Sequence, residues 1–180
     1  MMRGASILAA TIAIIASPCA AASSEFFSLS GDMTLESGDT WSIGAKRYRL
    51  YGVQSCIRGT SYTDRRGSKQ DCGDASLAVL AAFMQDTRPS CAPIVPDADL
   101  TYAVCYATVA GQRLDLGTML ISEGFGFAAL DPSGLPINPA YAVAEQHARA
   151  RKAGLWQFPD VQHPSLLIGR ASGADQRRSP

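Results

Sequence analysis

The stretch from Lys46 to Lys69 holds seven basic residues, Lys46, Arg47, Arg49, Arg58, Arg65, Arg66 and Lys69, against one acid, Asp64. Tyr48, Tyr51 and Tyr62 are interleaved with them. Clustered cations hold anions, and aromatic rings between them stack the bases of single-stranded nucleic acid. The chemistry open to this segment is the binding of a polyanion, nucleic acid or acidic polysaccharide, or of a protein partner. The plain alternative is a solvated basic loop balanced by acids elsewhere. Within it, the strand KRYRLYGV runs into the loop QSCIRG. That loop presents an amide (Gln54), a thiol (Cys56) and an aliphatic side chain (Ile57), where acid–base or metal chemistry would want carboxylates. Carboxylates flank it instead: Glu36 and Asp39 before the strand, Asp64 and Asp71 after it. Asp39 lies between Gly38 and Thr40, a common setting for a turn or capping aspartate, and Arg49 on the following strand is a candidate for a structural ion pair with it.

Elsewhere the ingredients of chemistry are sparse. The two histidines, His147 and His163, stand apart in sequence, and no two cysteines have the C-x-x-C spacing that zinc sites favour. Formal net charge is zero, so attraction to nucleic acid has to come from a local patch. Residues 1–22 read as a secretory signal peptide: Arg3 is the positive end, ASILAATIAIIAS the apolar stretch, and CAAA the small residues for cleavage. No transmembrane anchor is expected, because the apolar run falls short of the roughly 20 residues that a span needs. Apart from Cys19, the chain has Cys56, Cys72, Cys91 and Cys105, an even number that allows up to two disulfides in three pairings. The address expected is therefore periplasmic or secreted.

The elements that must position these residues are short. FFSL, MTLE, TWSI and KRYRLYGV read as strands, with Gly44-Ala45 as a two-residue hairpin signal between the last two. Residues 57–71 read as a polar loop. A helix is predicted over DASLAVLAAFM, with strands at SCAPIV and TYAVCYATV and a short helix at LDLGTMLISEG stopped by Gly124. Asn138-Pro139 opens a further helix running towards Gly154, on which Glu145 and Arg149 form a surface pair and His147 has no partner in view. One domain is expected over 23–160, followed by a disordered tail over 161–180.

Read in order, SGDTW, YRLYGV, DCGDASLAVLAAF, YAVCYA, LISEGFGFA and ARARKAGLW resemble the staphylococcal-nuclease-like (thermonuclease) family, from about Thr34 to Trp156. The resemblance implies a mainly β fold with α: an OB-type five-stranded barrel with about three packed helices. Active members of the family cut DNA and RNA phosphodiester bonds with Ca2+. They carry one metal-binding aspartate in a DGDT turn. A second aspartate and a glutamate base follow in a motif like R-L-x-G-I-D-A-P-E, and an arginine begins a later strand. In this chain Asp39 matches the metal-binding aspartate of the DGDT turn, although Ser37 replaces that turn's leading aspartate; Arg49 matches the first arginine, and Cys56 replaces the proline. Gln54 stands for the second aspartate, Ile57 for the glutamate, and Leu100 for the later arginine. An amide brings no charge, an isoleucine accepts no proton, and a leucine stabilises no developing anion. Each such loss costs about a hundredfold or more, so the family's reaction is not expected to run.

The expectation is an exported binding or structural module with no cofactor. The alternative is a metal-dependent phosphodiesterase, which would use Ca2+ at Asp39, with Arg49 and a relocated acid among Glu36, Asp64 and Asp71. On a barrel of this kind Cys91 and Cys105 lie on successive strands and are expected to pair, leaving Cys56 and Cys72 to close the basic loop. Exported relatives resemble this at Cys72 but carry the other cysteine where Tyr62 stands. Trp156 matches a family position at which the indole pins the last helix, and is read as core.

Overall fold

The computed structural model describes residues 25–29 and 31–176, so the signal-like segment lies outside the described residues. Strand β9, Leu100–Val109, is the spine of the fold, a ten-residue run rich in β-branched and aromatic side chains. Along one edge lies β8, Ser90–Asp97, antiparallel and with Cys91 directly opposite Cys105. Along the other edge two partners divide its length. Strand β4, Lys46–Leu50, runs parallel to Leu100–Ala103, and β10, Gln112–Asp115, runs antiparallel to Tyr106–Val109. The remaining strands of this sheet are β1 (Phe27–Ser28), β2 (Met33–Leu35) and β3 (Thr40–Ile43), giving the order β1-β8-β9-β4-β3-β2 with β10 on β9. Because the two ends of β9 serve different neighbours, the sheet curls into a half-barrel, and the fold is mixed α+β. The turn from β3 to β4 is Gly44-Ala45, with Gly44 at φ +56°, where a glycine carries no penalty.

Two ribbons complete the β structure. Strand β5, Val53–Ser55, pairs with β11, Gly126–Ala128, and β6, Ser61–Thr63, pairs with β7, Lys69–Asp71. The second ribbon corrects the expectation of a plain loop over 57–71. Asp64 accepts from the backbone N–H groups of Arg66 and Ser68, both at 2.9 Å, and this turn chemistry closes the ribbon.

Helix α1, Cys72–Thr87, opens on Asp71, whose carboxylate accepts from the N–H of Asp74 at 3.0 Å. Cys72, Ser76, Leu80 and Met84 recur every fourth residue and form its buried stripe. Helix α2, Leu116–Ser122, is capped by Asp115; α3, Pro139–Ala150, is capped by Asn138 with Pro at its first position. A 3-10 turn follows at Gly154–Gln157, and α4 spans Pro164–Gln176. The described residues hold four α-helices where about three were expected. Helix α4 also stands where a disordered tail was expected, because VQHPSLLI supplies apolar residues that the polar end of the chain conceals: Val161 and Leu167 are half-buried and His163 and Pro164 buried. No helix among the described residues is long and apolar enough to cross a membrane.

The main core gathers Trp41, Leu50, Val53, Leu80, Leu116, Leu120 and Ile121 between the sheet and the helices. Burying each Leu or Ile contributes about 1.5–3 kcal/mol relative to leaving it exposed. A smaller core holds Phe127 and Leu155 against the Cys56–Cys72 disulfide. Trp156 is half-buried there, its ring edge-on to Phe127 at 5.0 Å and covered by the Arg149 guanidinium at 4.0 Å. The second disulfide, Cys91–Cys105, ties β8 to β9. Two disulfides are the chemistry of an oxidising compartment.

Candidate functional site

Three elements, the turn after β2, β4 and β5, bring Asp39, Arg49 and Gln54 together. The turn after β2 closes when the N–H groups of Glu36 and Ser37 donate to the Thr40 carbonyl at 2.9 and 3.2 Å. Gly38 is required in it, since a Cβ at that position would lie 2.5 Å from the Ser76 Cβ on α1. Asp39 is thereby set at the head of β3, beside the Thr40–Arg49 pair of the β3–β4 ladder and facing β5.

The Asp39 carboxylate is 2 % exposed. Its Oδ1 accepts from the Ser37 hydroxyl at 2.6 Å and the Thr40 hydroxyl at 2.8 Å. Its Oδ2 accepts from Arg49 Nη2 and from the Ser55 N–H, both at 2.9 Å. A carboxylate offers about four lone-pair directions, and four donors fill them. Gln54 completes the hub: its Oε1 accepts from the same Arg49 nitrogen at 2.7 Å, while its Nε2 donates to the Ser55 carbonyl at 3.1 Å. The amide orients the arginine without bringing a second negative charge.

This hub does not fit a calcium ion. Ca2+ takes six to eight oxygen ligands, with carboxylates to balance its charge. Here a guanidinium nitrogen and a backbone N–H take Oδ2 of Asp39, and two hydroxyls take Oδ1. Among the described residues no group of three or more His, Cys, Asp or Glu is arranged to hold a metal.

The Ile57 carbonyl accepts from Thr60 N–H at 3.1 Å and the Thr60 hydroxyl at 2.6 Å, making a turn. Leu100 is half-buried, with Arg47 on β4 and Asp97 on β8 as its ladder partners. Each acid that a relocated reaction would need is committed elsewhere. Glu36 is gripped by Arg47, with Nη2 at 2.6 Å, and that hydrogen bond holds its carboxyl below the usual range. Asp64 forms the ribbon turn, and the Ser68 N–H leads the bonds that lower its pKa. Asp71 caps α1 and accepts from Gly59 N–H at 2.7 Å.

The seven basic residues divide between two sheets. Lys46, Arg47 and Arg49 lie on β4, whereas Arg58, Arg65, Arg66 and Lys69 lie on the loop and ribbon after β5. Arg58 pairs with Asp74 at 3.1 Å and Lys69 with Asp160 at 3.3 Å, both pairs at the surface; Arg65 donates to the Gln157 amide oxygen. Lys46 and Arg66 are exposed. The tyrosines are engaged too. Tyr48 stacks on Trp41 at 5.8 Å and meets Phe27 at 4.9 Å, Tyr62 stacks on Phe158 at 4.6 Å, and Tyr51 meets Tyr102 edge-on at 6.1 Å. The open platform that base stacking uses is taken up by the protein's own rings.

A second polar centre was not visible in the sequence. Glu145 on α3, read there as part of a surface pair, is only 6 % exposed, and His163, read there as part of a tail, is 8 % exposed. They meet at 3.3 Å, with Arg149 Nη2 2.6 Å from the same carboxylate. Their separation of 18 residues leaves no local pattern, and only the apolar run around His163 hinted that this segment packs. His147 is exposed on α3.

No family model matches the chain. Among curated proteins the chain is similar to the Succinoglycan biosynthesis protein ExoI of Rhizobium meliloti (strain 1021), with 27 % identity over 144 residues, spanning 79 % of this chain and 72 % of that relative.

Proposed function

We propose that this chain is an exported binding module on a nuclease-like, OB-type barrel, in which the metal and base positions of the nuclease motif have become a structural hub and the exposed cations hold a polyanion. The observation that carries this reading is the Asp39 carboxylate, buried and supplied with four donors, one of them Arg49. A group so fully bonded orders β3, β4 and β5 and has no lone pair to offer a cation or a water. Export is supported by the two disulfides. With the tyrosine rings engaged, the polyanion is held by charge rather than by base stacking, which favours an acidic polysaccharide over nucleic acid. The similar protein whose name assigns it to succinoglycan biosynthesis supports a glycan setting.

The test is binding of polygalacturonate and of single-stranded DNA to the oxidised chain over a salt series, beside the double variant Arg65→Glu/Arg66→Glu. The reading expects polysaccharide binding that weakens steeply with salt and is lost in the variant. Binding that ignores salt and the variant would overturn it. The rival reading, a metal-dependent phosphodiesterase, retains Asp39 and Arg49 in its favour, and cleavage assays decide it.

A further inference from the structure

The Glu145 centre differs from the Asp39 hub in one respect that matters for ligands: it lines a cavity of about 280 Å3 between β11, α3 and α4. Glu145 Oε2 accepts from the Ala128 N–H at 2.7 Å and from His163 Nε2 at 3.3 Å. His163 Nδ1 accepts from the Ser165 N–H at 3.2 Å, so the ring proton belongs on Nε2 and points at the carboxylate. Glu145 Oε1 faces Arg149, and that guanidinium, joined through one nitrogen and lying over Trp156, has further N–H groups. Gln146, exposed on the next position of α3, adds an amide donor and acceptor at the cavity. The other walls are aliphatic: Leu130, Pro136, Ala142 and Leu166, the last 53 % exposed.

The carboxylate and the guanidinium cancel, so the cavity favours neither an anion nor a cation. Its polar end offers an acceptor and donors side by side, against walls that suit C–H groups. Neighbouring hydroxyls on a ring, each able to donate and to accept, match that end, and the ring's C–H face matches the walls. The volume lies just below the 300–1,000 Å3 of typical small-molecule sites, which sets the ligand at about one ring. We propose that this cavity is a binding subsite for a single neutral sugar residue, with Glu145, Arg149 and Gln146 holding its hydroxyls. The subsite is separate from the basic surface and stands or falls independently of polyanion binding.

The experiment is titration of the full, disulfide-bonded chain with methyl glucoside, methyl galactoside and methyl mannoside, followed by amide 1H–15N spectra, with glycerol as control. With at least one glycoside, saturable shifts are expected at Ala128, Leu130, Ala142, Gln146 and Leu166, with a Kd of about 1 mM. Ala142→Phe fills the cavity without removing any bond of Glu145 and should abolish them. Gln146→Ala, at an exposed side chain, should weaken binding several-fold in a chain that folds normally. Arg65→Glu/Arg66→Glu should leave the shifts unchanged. Three results would overturn the subsite: no saturable shift with any glycoside, the same shifts with glycerol, or shifts that survive Ala142→Phe together with Gln146→Ala.

Discussion

Asp39 and Glu145 are both buried carboxylates, and each is bonded to an arginine and to a backbone N–H of the short β5–β11 ribbon. Asp39 is enclosed by hydroxyls, an arginine and a turn. Glu145 has a histidine in place of the hydroxyls and borders open space. The first sits where the sequence points to chemistry, and its hydrogen bonds tie β3, β4 and β5 together. The second sits where the sequence suggests only a surface pair and a tail, and it retains an accessible edge. Burial of a carboxylate therefore does not by itself make a site; its remaining hydrogen-bonding capacity decides whether the charge can act on anything else.

The comparison breaks most visibly at Asp39. Replacing it with alanine leaves the Ser55 N–H without its acceptor and Arg49 with the Gln54 amide oxygen but no carboxylate, and should cost about 3–5 kcal/mol in denaturant unfolding. A cost below about 1 kcal/mol would show that the hub is not structural. Next comes the Cys56–Cys72 bridge, which ties the segment after β5 to the first turn of α1. Replacing both cysteines with alanine should cost about 3 kcal/mol in the chain-entropy model, read from the shift in unfolding midpoint.

Glu145→Gln sharpens the contrast by keeping the shape and removing the charge. The expected cost is about 1–3 kcal/mol, for the charge-assisted bonds lost from His163, Ala128 and Arg149. Burial pushes the Glu145 carboxyl up, but the hydrogen bonds from His163 and Ala128 and the charge of Arg149 outweigh it and leave the pKa below 4.5. A depressed pKa stabilises the fold above the unfolded value and loses that contribution as pH falls through the folded one. The wild-type chain should therefore lose stability below about pH 4.5 more steeply than Glu145→Gln, in unfolding free energy measured against pH. Parallel curves would remove Glu145 from the account of acid stability.

The smallest effects lie in the basic ribbon. The Thr63 hydroxyl and N–H lower the Asp160 carboxyl from 3.8 to about 2. Asp160→Asn should flatten the acid limb between those two values, seen as a smaller pH dependence of the unfolding midpoint. Arg58→Ala breaks an exposed pair with Asp74 and should change stability by less than about 1 kcal/mol.

Much of the framework was legible because its signals are local. Gly44-Ala45 marked the hairpin, Asn138-Pro139 and its capping bond the start of α3, and the β-branched and aromatic run Thr101–Val109 the central strand. What escaped depended on contacts between distant residues. The ribbon at 61–71 needs Asp64 folded back onto Ser68 and Asp160 reaching Thr63 from 97 residues away. Helix α4 forms where VQHPSLLI can pack, although the residues after it look like linker. Glu145 and Arg149, four apart on a helix, carry the spacing of a surface pair, and nothing local shows that the Ala128 N–H and His163 cover one of them. At Asp39 the pairing with Arg49 was readable in the sequence. The saturation of its oxygens was not, because the Ser55 N–H comes from β5, 16 residues away.

The central claim, that the Asp39 hub holds the fold and does no metal-dependent chemistry, is tested most directly by cleavage. The oxidised chain lacking residues 1–22 would be given single-stranded and duplex DNA and RNA with Ca2+, Mg2+ or Mn2+ and with chelator, beside Asp39→Asn, which preserves the shape of the hub. The account predicts no cutting above that variant's background on any substrate with any ion. Metal-dependent cutting that disappears in Asp39→Asn would contradict it.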